Sequence, residues 1–298
     1  MVATPSPHIV TAARDLVPPQ GIHLRRWDGA LGARIDGVDL SDKLDGATMA
    51  FIEDAFLRYQ VLSFPGQALT PAAHVQFAAR FGEIDRYPFA EPLADQPEVV
   101  AVTKEPGTLL NFGGVWHTDS PYLPIPPKAT VLYSVHIPTR GGDTMFADMY
   151  AAYDGLSDGM QRMLAGLGGV TSACDVHGEG TEALKLGDVV RVRDSALADS
   201  ETVHPLVRTH PQTGRRALYM SRVHVQRFEH MTEAESAPVL DFLAGHLSHP
   251  IFTARLRWEP GMVVVFDNRC VQHLALNDYP TEYREIHRVV VRDDSAPF

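Results

Sequence analysis

The chain has 298 residues, 45% of them hydrophobic and 21% charged, which is an ordinary composition for a globular protein with a full core. Its net charge of −11 argues against a nucleic-acid-binding surface, so we expect no nucleic-acid partner. The sequence has no apolar run near the roughly 18 residues that span a bilayer, no secretory-signal pattern and only two cysteines, so we expect a cytoplasmic protein with no membrane partner.

Residues 1–20 are predicted to form a proline-bearing tail or arm, and residues 21–298 to form one domain. Apolar residues at helical spacing, together with capping signals, predict four helices. Met163 in the third helix is expected to face the core. The first helix is expected over 47–59, and the second is expected to begin at Pro71, with Thr70 as its N-cap. The third is expected to begin after Ser157, and the fourth at the capping box Thr232-x-x-Glu235.

Short β-rich runs, punctuated by proline and glycine, lie between and after these helices. Many short strands separated by turns favour a sandwich or barrel over alternating βαβ units. No GxGxxG or Walker sequence follows any of them, so nucleotide binding has no support. The expected strands cover 61–64, 98–103, 129–137, 205–209, 216–221, 254–258, 262–266 and 284–292.

The fourteen histidines include one His-x-Asp, His117-Thr118-Asp119, and one His-x-Glu, His177-Gly178-Glu179. Side chains two residues apart on a strand share a face, so His117 and Asp119 could both reach one ion. Two imidazoles and one carboxylate suit non-haem Fe(II) and leave positions open for a chelating co-substrate and O₂. His273, just beyond the run 262–266, is the candidate third ligand. The glycine-rich stretch around His177 predicts a surface loop.

The last predicted strand carries two arginines. By alternation, Arg284, Ile286 and Arg288 share one face, whereas Glu285 and His287 share the other. Both guanidinium groups are therefore expected on the same side of the sheet.

Four motifs occur in order along the chain. They are Trp116-His117-Thr118-Asp119, Gly141-Gly142-Asp143-Thr144, Phe266-Asp267-Asn268-Arg269, and the stretch from Gln272-His273 to Arg284 and Arg288. Together they resemble the taurine dioxygenase (TauD/TfdA) family of Fe(II)/2-oxoglutarate-dependent dioxygenases, over about residues 20–292. The resemblance implies a mainly β fold with flanking helices, the double-stranded β-helix (jelly roll, cupin-like), which agrees with the strand-rich pattern.

The resemblance also implies roles for particular residues. His117, Asp119 and His273 would be the catalytic iron ligands, and Thr144 and Arg284 would bind the distal carboxylate of 2-oxoglutarate. An arginine fork matches a carboxylate, and a hydroxyl supplies one more donor. The chain is therefore expected to be an oxidoreductase that uses Fe(II), 2-oxoglutarate and O₂, hydroxylates its substrate, and releases succinate and CO₂.

Arg288 resembles the arginine that meets the substrate sulfonate in the taurine enzyme; it lies about 13 Å beyond Arg284 at a strand rise of roughly 3.3 Å per residue. Elsewhere the chain departs from that enzyme. Tyr87 stands where the taurine enzyme has a sulfonate-binding histidine, Gly113 lies near the place of an asparagine, and Phe266 replaces a tryptophan. We therefore expect a small anionic substrate (a sulfonate, alkyl sulfate or carboxylic acid) rather than taurine, with Tyr87 either binding the anion or simply packed.

Residues 168–203 are polar and mixed in charge, and we expect them to include a lid that closes over the substrate. The stretch 205–211, His224 and Arg227 resemble family positions whose usual role is structural. Family members are commonly dimers or tetramers, which implies a homo-oligomer. Two alternatives stay open: a jelly-roll metalloenzyme independent of 2-oxoglutarate, which would need no carboxylate clamp, and a non-catalytic jelly-roll binding module, which would need no intact ligand set.

Overall fold

The computed structural model describes residues 16–177 and 198–298, except for the side chain of His177. The helices are α1 (Gly46–Tyr59), α2 (Pro71–Ala78), α3 (Met149–Asp154), α4 (Asp158–Leu164), α5 (Cys174–His177) and α6 (Glu233–Leu247), with a 3-10 helix at Pro250–Phe252. The strands are β1 (His23–Arg26), β2 (Ala33–Asp36), β3 (Val61–Phe64), β4 (Ile84–Asp85), β5 (Val100–Lys104), β6 (Ala129–His136), β7 (Thr144–Asp148), β8 (Gly168–Ser172), β9 (Glu201–Pro205), β10 (Val207–Thr209), β11 (Arg216–Leu218), β12 (Val225–Phe228), β13 (Thr253–Leu256), β14 (Val263–Asp267), β15 (Val271–Ala275) and β16 (Arg284–Val291). Within the described ranges, no helix is both long enough and apolar enough to cross a membrane.

Eight strands form the larger sheet, in the order β1-β2-β3-β14-β6-β16-β4, with β5 also paired to β16. All these pairings are antiparallel except that of β2 with β3. In the centre of the sheet, Thr130 on β6 lies opposite Phe266 on β14, and Leu132 on β6 lies opposite Arg288 on β16. This register brings the middle of the chain next to its C-terminal motifs.

A smaller sheet, β13-β7-β15, packs across one face of the larger sheet. Phe146 of the smaller sheet joins Val264, Phe266 and Ile286 of the larger one in a single hydrophobic cluster. The opposite face of the larger sheet is covered by α1 and α2 in a second cluster. That cluster includes Ile52, Phe56, Phe77, Val263, Val265 and Val289. Two facing sheets, antiparallel apart from the β2–β3 pairing, with helices outside the larger one confirm the predicted mainly β, jelly-roll fold.

The four predicted helices are present, with small errors at their ends and faces. Thr70, Ser157 and Thr232 accept hydrogen bonds from first-turn backbone N–H groups, as N-caps do. The predicted burial of Met163 is wrong, because its exposed fraction is 45%. Helix α4 ends after seven residues, so it is too short for the expected apolar stripe. The sequence does not predict α3, which is only six residues long and therefore shows no clear helical period.

The strand predictions fail in two ways. The run 205–209 is not one strand, because β9 ends at Pro205 and β10 begins at Val207. The sequence also does not predict β7 or β15, which pair with each other in the smaller sheet. β15 reads Val-Gln-His-Leu-Ala and is defined by its partner rather than by an apolar pattern of its own.

The region 168–203, predicted to contain a lid, begins and ends in paired strands, because β8 lies antiparallel to β9. His177 ends the short helix α5, so the predicted surface loop is wrong at that residue. Gly178, Glu179 and the rest of 178–197 lie outside the described residues, as do residues 1–15 of the predicted tail. The lid, the tail and the single-domain division therefore stay predictions.

Candidate active site

Three buried side chains, His117, Asp119 and His273, meet between the two sheets. Their potential ligand atoms all lie within 4.8 Å of one another. His117 Nε2 is 3.9 Å from Asp119 Oδ1, and the two imidazole ring centres are 4.1 Å apart. Each side chain can offer one atom to the same ion, and two imidazoles with one carboxylate suit non-haem iron.

The predicted strand geometry of His117 and Asp119 is wrong. The segment is irregular, and His117 alone forms an isolated bridge, with His273 of β15. The His117 N–H donates to the His273 carbonyl at 3.0 Å, and the His273 N–H donates to the His117 carbonyl at 2.8 Å. Thr118 Oγ1 donates to the Asn268 carbonyl at 2.8 Å. One bridge and side-chain bonds, rather than a strand ladder, therefore hold the segment in place.

Burial keeps both histidines neutral, as metal ligands must be. It lowers the pKa of His117 and lowers the pKa of His273 to about 3. His117 Nδ1 lies 2.7 Å from the Val115 carbonyl, which can only accept, so Nδ1 carries the proton and Nε2 is left for an ion. His273 Nδ1 is buried and has no hydrogen-bond partner among the described residues. The site therefore has unmet bonding capacity that fits a metal ion.

The Asp119 carboxylate is ionised despite its burial. Arg288 NH2 donates to its Oδ1 at 2.9 Å, and Thr130 Oγ1 donates to its Oδ2 at 2.5 Å. Burial by itself raises the pKa of Asp119, but the Arg288 guanidinium, with the Thr130 hydrogen bond, outweighs it and holds that pKa well below its usual value. The third candidate ligand is thus in its metal-binding form.

A second buried group has a spacing that could suit a metal ion: His210, Asp267 and Cys270. An arginine side chain, Arg269, already occupies its carboxylate. Arg269 Nε donates to Asp267 Oδ1 at 2.8 Å, and its NH2 donates to Oδ2 at 2.7 Å. His210 Nε2 also donates to Oδ2, at 3.0 Å. Burial raises the pKa of the Cys270 thiol well above its usual value, so no thiolate is offered. This cluster is a structural ion pair.

Thr144 and Arg284 line the same cavity as the three candidate ligands. Thr144 begins β7 after the turn Gly141-Gly142-Asp143, and the φ angles of the two glycines, 75° and 69°, lie in the left-handed region that glycine tolerates. The structure thus brings together, in one cavity, the residues that the sequence assigned to iron and to the 2-oxoglutarate carboxylate.

The Arg284 guanidinium is buried, and burial lowers its pKa. Its Nε has no hydrogen-bond partner among the described residues. The guanidinium lies 5.8 Å from the centre of the Trp258 ring, and Trp258 Nε1 donates to Thr144 Oγ1 at 3.0 Å. A buried cation with an unpaired Nε–H next to a fixed hydroxyl is suited to a carboxylate.

A second cavity adjoins the first and shares His117, Asp119, Phe112 and Gly113 with it. Gly113 has a φ of 76°, and a Cβ there would approach His117 Cε1 to 3.1 Å, so the close packing on the imidazole favours glycine. The rest of the second cavity is mainly aromatic and aliphatic. Its apolar and aromatic walls are Tyr87, Phe112, Val115, Tyr122, Val176 and Val223.

Tyr87, which lines the second cavity, contacts Arg288, which lines the first. The Arg288 guanidinium lies over the Tyr87 ring, 4.5 Å from its centre. Burial raises the pKa of Tyr87 to about 12, so the phenol is neutral. The ring also packs edge-on against Phe112. Tyr87 is therefore packed and, at the same time, in contact with the arginine predicted to meet the substrate.

The sequence did not assign a role to four residues at the site. Thr130 and Trp258 lie in or next to predicted strands, but only the tertiary register shows that they bond to Asp119 and Thr144. Asn268 lies in a recognised motif and contacts the Asp119 segment. His224, assigned no chemistry, lines the second cavity. A buried tryptophan needs a partner for its N–H, which is the one signal that could have pointed to Trp258.

Comparison with known proteins points to one enzyme family. The family model described as "Taurine catabolism dioxygenase TauD, TfdA family" matches residues 20–290. The chain is 32% identical over 277 residues to an alkylsulfatase of Acinetobacter baylyi, covering 92% of this chain and 86% of that protein. It is 34% identical over 267 residues to an alpha-ketoglutarate-dependent sulfate ester dioxygenase of Pseudomonas putida, covering 88% and 87%. A solved taurine dioxygenase from Burkholderia xenovorans has a TM-score of 0.77 and 34% identity, covering 93% and 92%.

Proposed function

Because the chain belongs to the TauD/TfdA family and is an Fe(II)- and 2-oxoglutarate-dependent dioxygenase, we propose that it hydroxylates a small organic anion with an apolar body. The substrate classes are alkyl sulfates, sulfonates and carboxylic acids, and taurine itself is disfavoured. The observation that carries the proposal is the position of Arg288, buried in the first cavity against Tyr87, which lines the apolar second cavity.

Arg288 has bonding capacity to offer an anion. Its NH1 is buried without a hydrogen-bond partner among the described residues, and its NH2 is bound to Asp119, the carboxylate that an iron ion would also use. When an ion takes the Asp119 oxygen, the buried Arg288 guanidinium loses its partner, which is costly. An anionic group on the substrate would relieve that cost on binding.

The second cavity determines the body of the substrate. Its aromatic and aliphatic walls favour an alkyl or aryl group. Among the described residues that line it, Asp119 is the sole acid, and we assign Asp119 to the metal. The ammonium group of taurine would therefore find no free carboxylate there. Both relatives named above act, by their names, on sulfate esters, which are anions of the proposed kind.

The residues would divide the chemistry among them. His117, Asp119 and His273 would hold the ion, Thr144 and Arg284 the distal carboxylate of 2-oxoglutarate, and Arg288 the substrate anion. Bound Fe(II) with 2-oxoglutarate supplies O₂ activation, which yields succinate and CO₂ and lets the substrate carbon be hydroxylated. The Tyr87 ring, packed against the guanidinium, would keep Arg288 directed at the substrate.

The test is a panel of compounds that are matched in chain length and differ in charge. The protein, Fe(II) and 2-oxoglutarate are incubated with linear alkyl sulfates, alkylsulfonates and aryloxy carboxylates, and succinate formation is measured. The neutral alcohol of each chain length and taurine are the controls. We expect succinate release above the substrate-free rate with the apolar anions only. Equal stimulation by the neutral alcohols, or turnover of taurine at the same rate, would contradict the proposal.

We propose a homo-oligomer, a dimer or tetramer, that acts in the cytoplasm on a small molecule and has no nucleic-acid partner. Both cysteines are free, which is consistent with a reducing compartment. Light scattering tests the oligomeric state.

The two alternatives, a 2-oxoglutarate-independent metalloenzyme and a non-catalytic module, are disfavoured because Thr144, Arg284 and all three candidate ligands line one cavity.

A further inference from the structure

The Asp119 carboxylate is held by two side chains outside the candidate ligand set. Thr130 on β6 donates from Oγ1 to Asp119 Oδ2 at 2.5 Å. Asn268, in the turn after β14, donates from Nδ2 to Thr130 Oγ1 at 3.0 Å, and its Oδ1 accepts from the Asp119 backbone N–H at 3.2 Å. These three hydrogen bonds form a closed ring that begins and ends on Asp119.

We propose that Thr130 and Asn268 are positioning residues. They orient Asp119 so that only its Oδ1 can bind the metal, and they thereby set the metal affinity of the site. This inference rests on the proposed role of Asp119 as an iron ligand. It concerns the protein before any co-substrate or substrate binds.

The direction of each bond in the ring is fixed by chemistry. Thr130 Oγ1 lies against the Asn268 Nδ2 group, which can only donate, so the single Thr130 hydroxyl proton points at Asp119 Oδ2. The Thr130 oxygen must then accept from the Asn268 amide, whose own oxygen takes the Asp119 N–H. No member of the ring can reverse its role without leaving a buried donor or acceptor unsatisfied.

The ring compensates for the irregular backbone at Asp119. This residue lies outside the strands, so no ladder fixes its conformation. With Oδ2 bound to Thr130, Oδ1 is the oxygen left near His117 Nε2. A single-oxygen ligand keeps more coordination positions open for a chelating co-substrate and O₂ than a two-oxygen ligand would.

Thr130 and Arg288 bond to different oxygens, and this separates their roles. Arg288 lies on Oδ1 and competes with an ion for it, whereas Thr130 lies on Oδ2 and can stay bound when the ion arrives. Thr130 and Asn268 are both buried, so water does not compete for these bonds. Loss of such an outer partner typically weakens metal binding by about 10–100-fold.

The experiment is a metal titration in the absence of 2-oxoglutarate and O₂. Metal-free protein is titrated with Co(II), whose visible absorption bands report both affinity and coordination geometry. Thr130→Val removes the hydroxyl at nearly constant volume and should weaken Co(II) binding by about tenfold or more. Thr130→Ser keeps the donor and should restore most of the affinity. Asn268→Ala breaks the other two bonds and should also weaken binding, even if Thr130→Val does not fold.

Ser134→Ala is the matched control. Ser134 lies on the same strand, is buried, and donates from Oγ to the Glu259 carbonyl at 2.7 Å, away from the site. This variant should lose some thermal stability but keep wild-type Co(II) affinity and bands. Wild-type Co(II) affinity in folded Thr130→Val, or in Asn268→Ala, would overturn the proposal. If the unaltered protein fails to bind Co(II) at all, the metal role of Asp119 fails instead, so the two failures are distinguishable.

Discussion

Arg288 and Asp119 form a buried ion pair, with NH2 2.9 Å from Oδ1, at the point where the candidate metal site meets the candidate substrate cavity. Both side chains are 5% exposed. Since Thr130 holds Oδ2, the guanidinium and an arriving metal ion both depend on Oδ1. Arg288 is therefore the counter-charge of Asp119 in the metal-free protein.

Arg288→Gln should destabilise the metal-free protein more than the metal-loaded protein. Leaving one partner of a buried ion pair uncompensated costs about 3–5 kcal/mol, and a bound ion would supply the missing charge. Urea unfolding with and without Co(II) measures both free energies of unfolding. The stabilisation by metal should be larger in the variant than in the unaltered protein. Equal stabilisation by metal would show that Arg288 does not neutralise Asp119.

The same variant should weaken substrate binding if the proposed function is right. Gln keeps hydrogen-bonding capacity but lacks the charge, so the KM for an apolar anionic substrate should rise, while the affinity for the co-substrate 2-oxoglutarate should change little. Arg255→Gln is a suitable control, because Arg255 is a half-exposed arginine paired with Asp143 outside the cavity. An unchanged substrate KM in Arg288→Gln would make Arg288 a purely structural ion-pair residue.

The sequence predicted the candidate ligands but not the contacts that hold them in place. His117, Asp119 and His273 were found through motif spacing, although the reasoning by strand alternation fails because 117–119 is irregular. The alternation on β16 is correct, since Arg284, Ile286 and Arg288 all line one cavity. That strand is long and regular, so its local period determines which way each side chain points.

Contacts set by long-range register could not be predicted. Thr130 and Asn268 are 138 residues apart in the chain and meet only because β6 pairs with β14. β7 and β15 were missed for a related reason: neither carries a clear apolar alternation, and each is a strand because its neighbour supplies the hydrogen bonds. Local propensity cannot report a partner that is far away in sequence.

The candidate ligand set predicts one Fe(II) per chain. His273→Ala should abolish most metal binding and coupled turnover, because two ligands cannot hold the ion in a defined open geometry. His230→Ala is the control, since that histidine is exposed and remote from the cavity. Metal content is measured after anaerobic loading and desalting. Full occupancy and activity in His273→Ala would remove His273 from the ligand set.

Arg284→Ala should weaken 2-oxoglutarate binding by about 2–5 kcal/mol, the range for truncating one partner of a buried charge pair. Thr144→Val should cost less, about 1 kcal/mol, because it removes one neutral hydrogen bond. Anaerobic titration of the Fe(II) protein with 2-oxoglutarate, followed by absorption, measures both. Co(II) affinity in the absence of 2-oxoglutarate should be unchanged in each variant. An unaltered 2-oxoglutarate affinity in Arg284→Ala would mean that another cation holds the distal carboxylate.

The last prediction concerns His74, which lies on α2 with its side chain fully buried against the larger sheet. Its Nε2 lies 3.1 Å from the Val131 carbonyl and must donate to it. Burial lowers the pKa of His74 to about 3, with a further lowering from His287, against 6.5 in the unfolded chain. Between these values the unfolded chain binds a proton that the folded protein excludes. Stability therefore rises with pH up to about 6.5 and is lost as pH falls below it, by at most about 1.4 kcal/mol per pH unit from this residue.

His74→Gln can still donate to the Val131 carbonyl but cannot gain a proton. Burial also lowers the pKa of His117, His204 and His273. The variant should therefore keep part of the loss of stability at low pH and be relieved only of the part that His74 contributes. Urea unfolding at several pH values between 7.5 and 4.5 should therefore give a shallower decline for His74→Gln than for the unaltered protein. The exposed His230→Gln should follow the unaltered protein. Parallel declines for His74→Gln and the unaltered protein would mean that His74 does not stay neutral on folding.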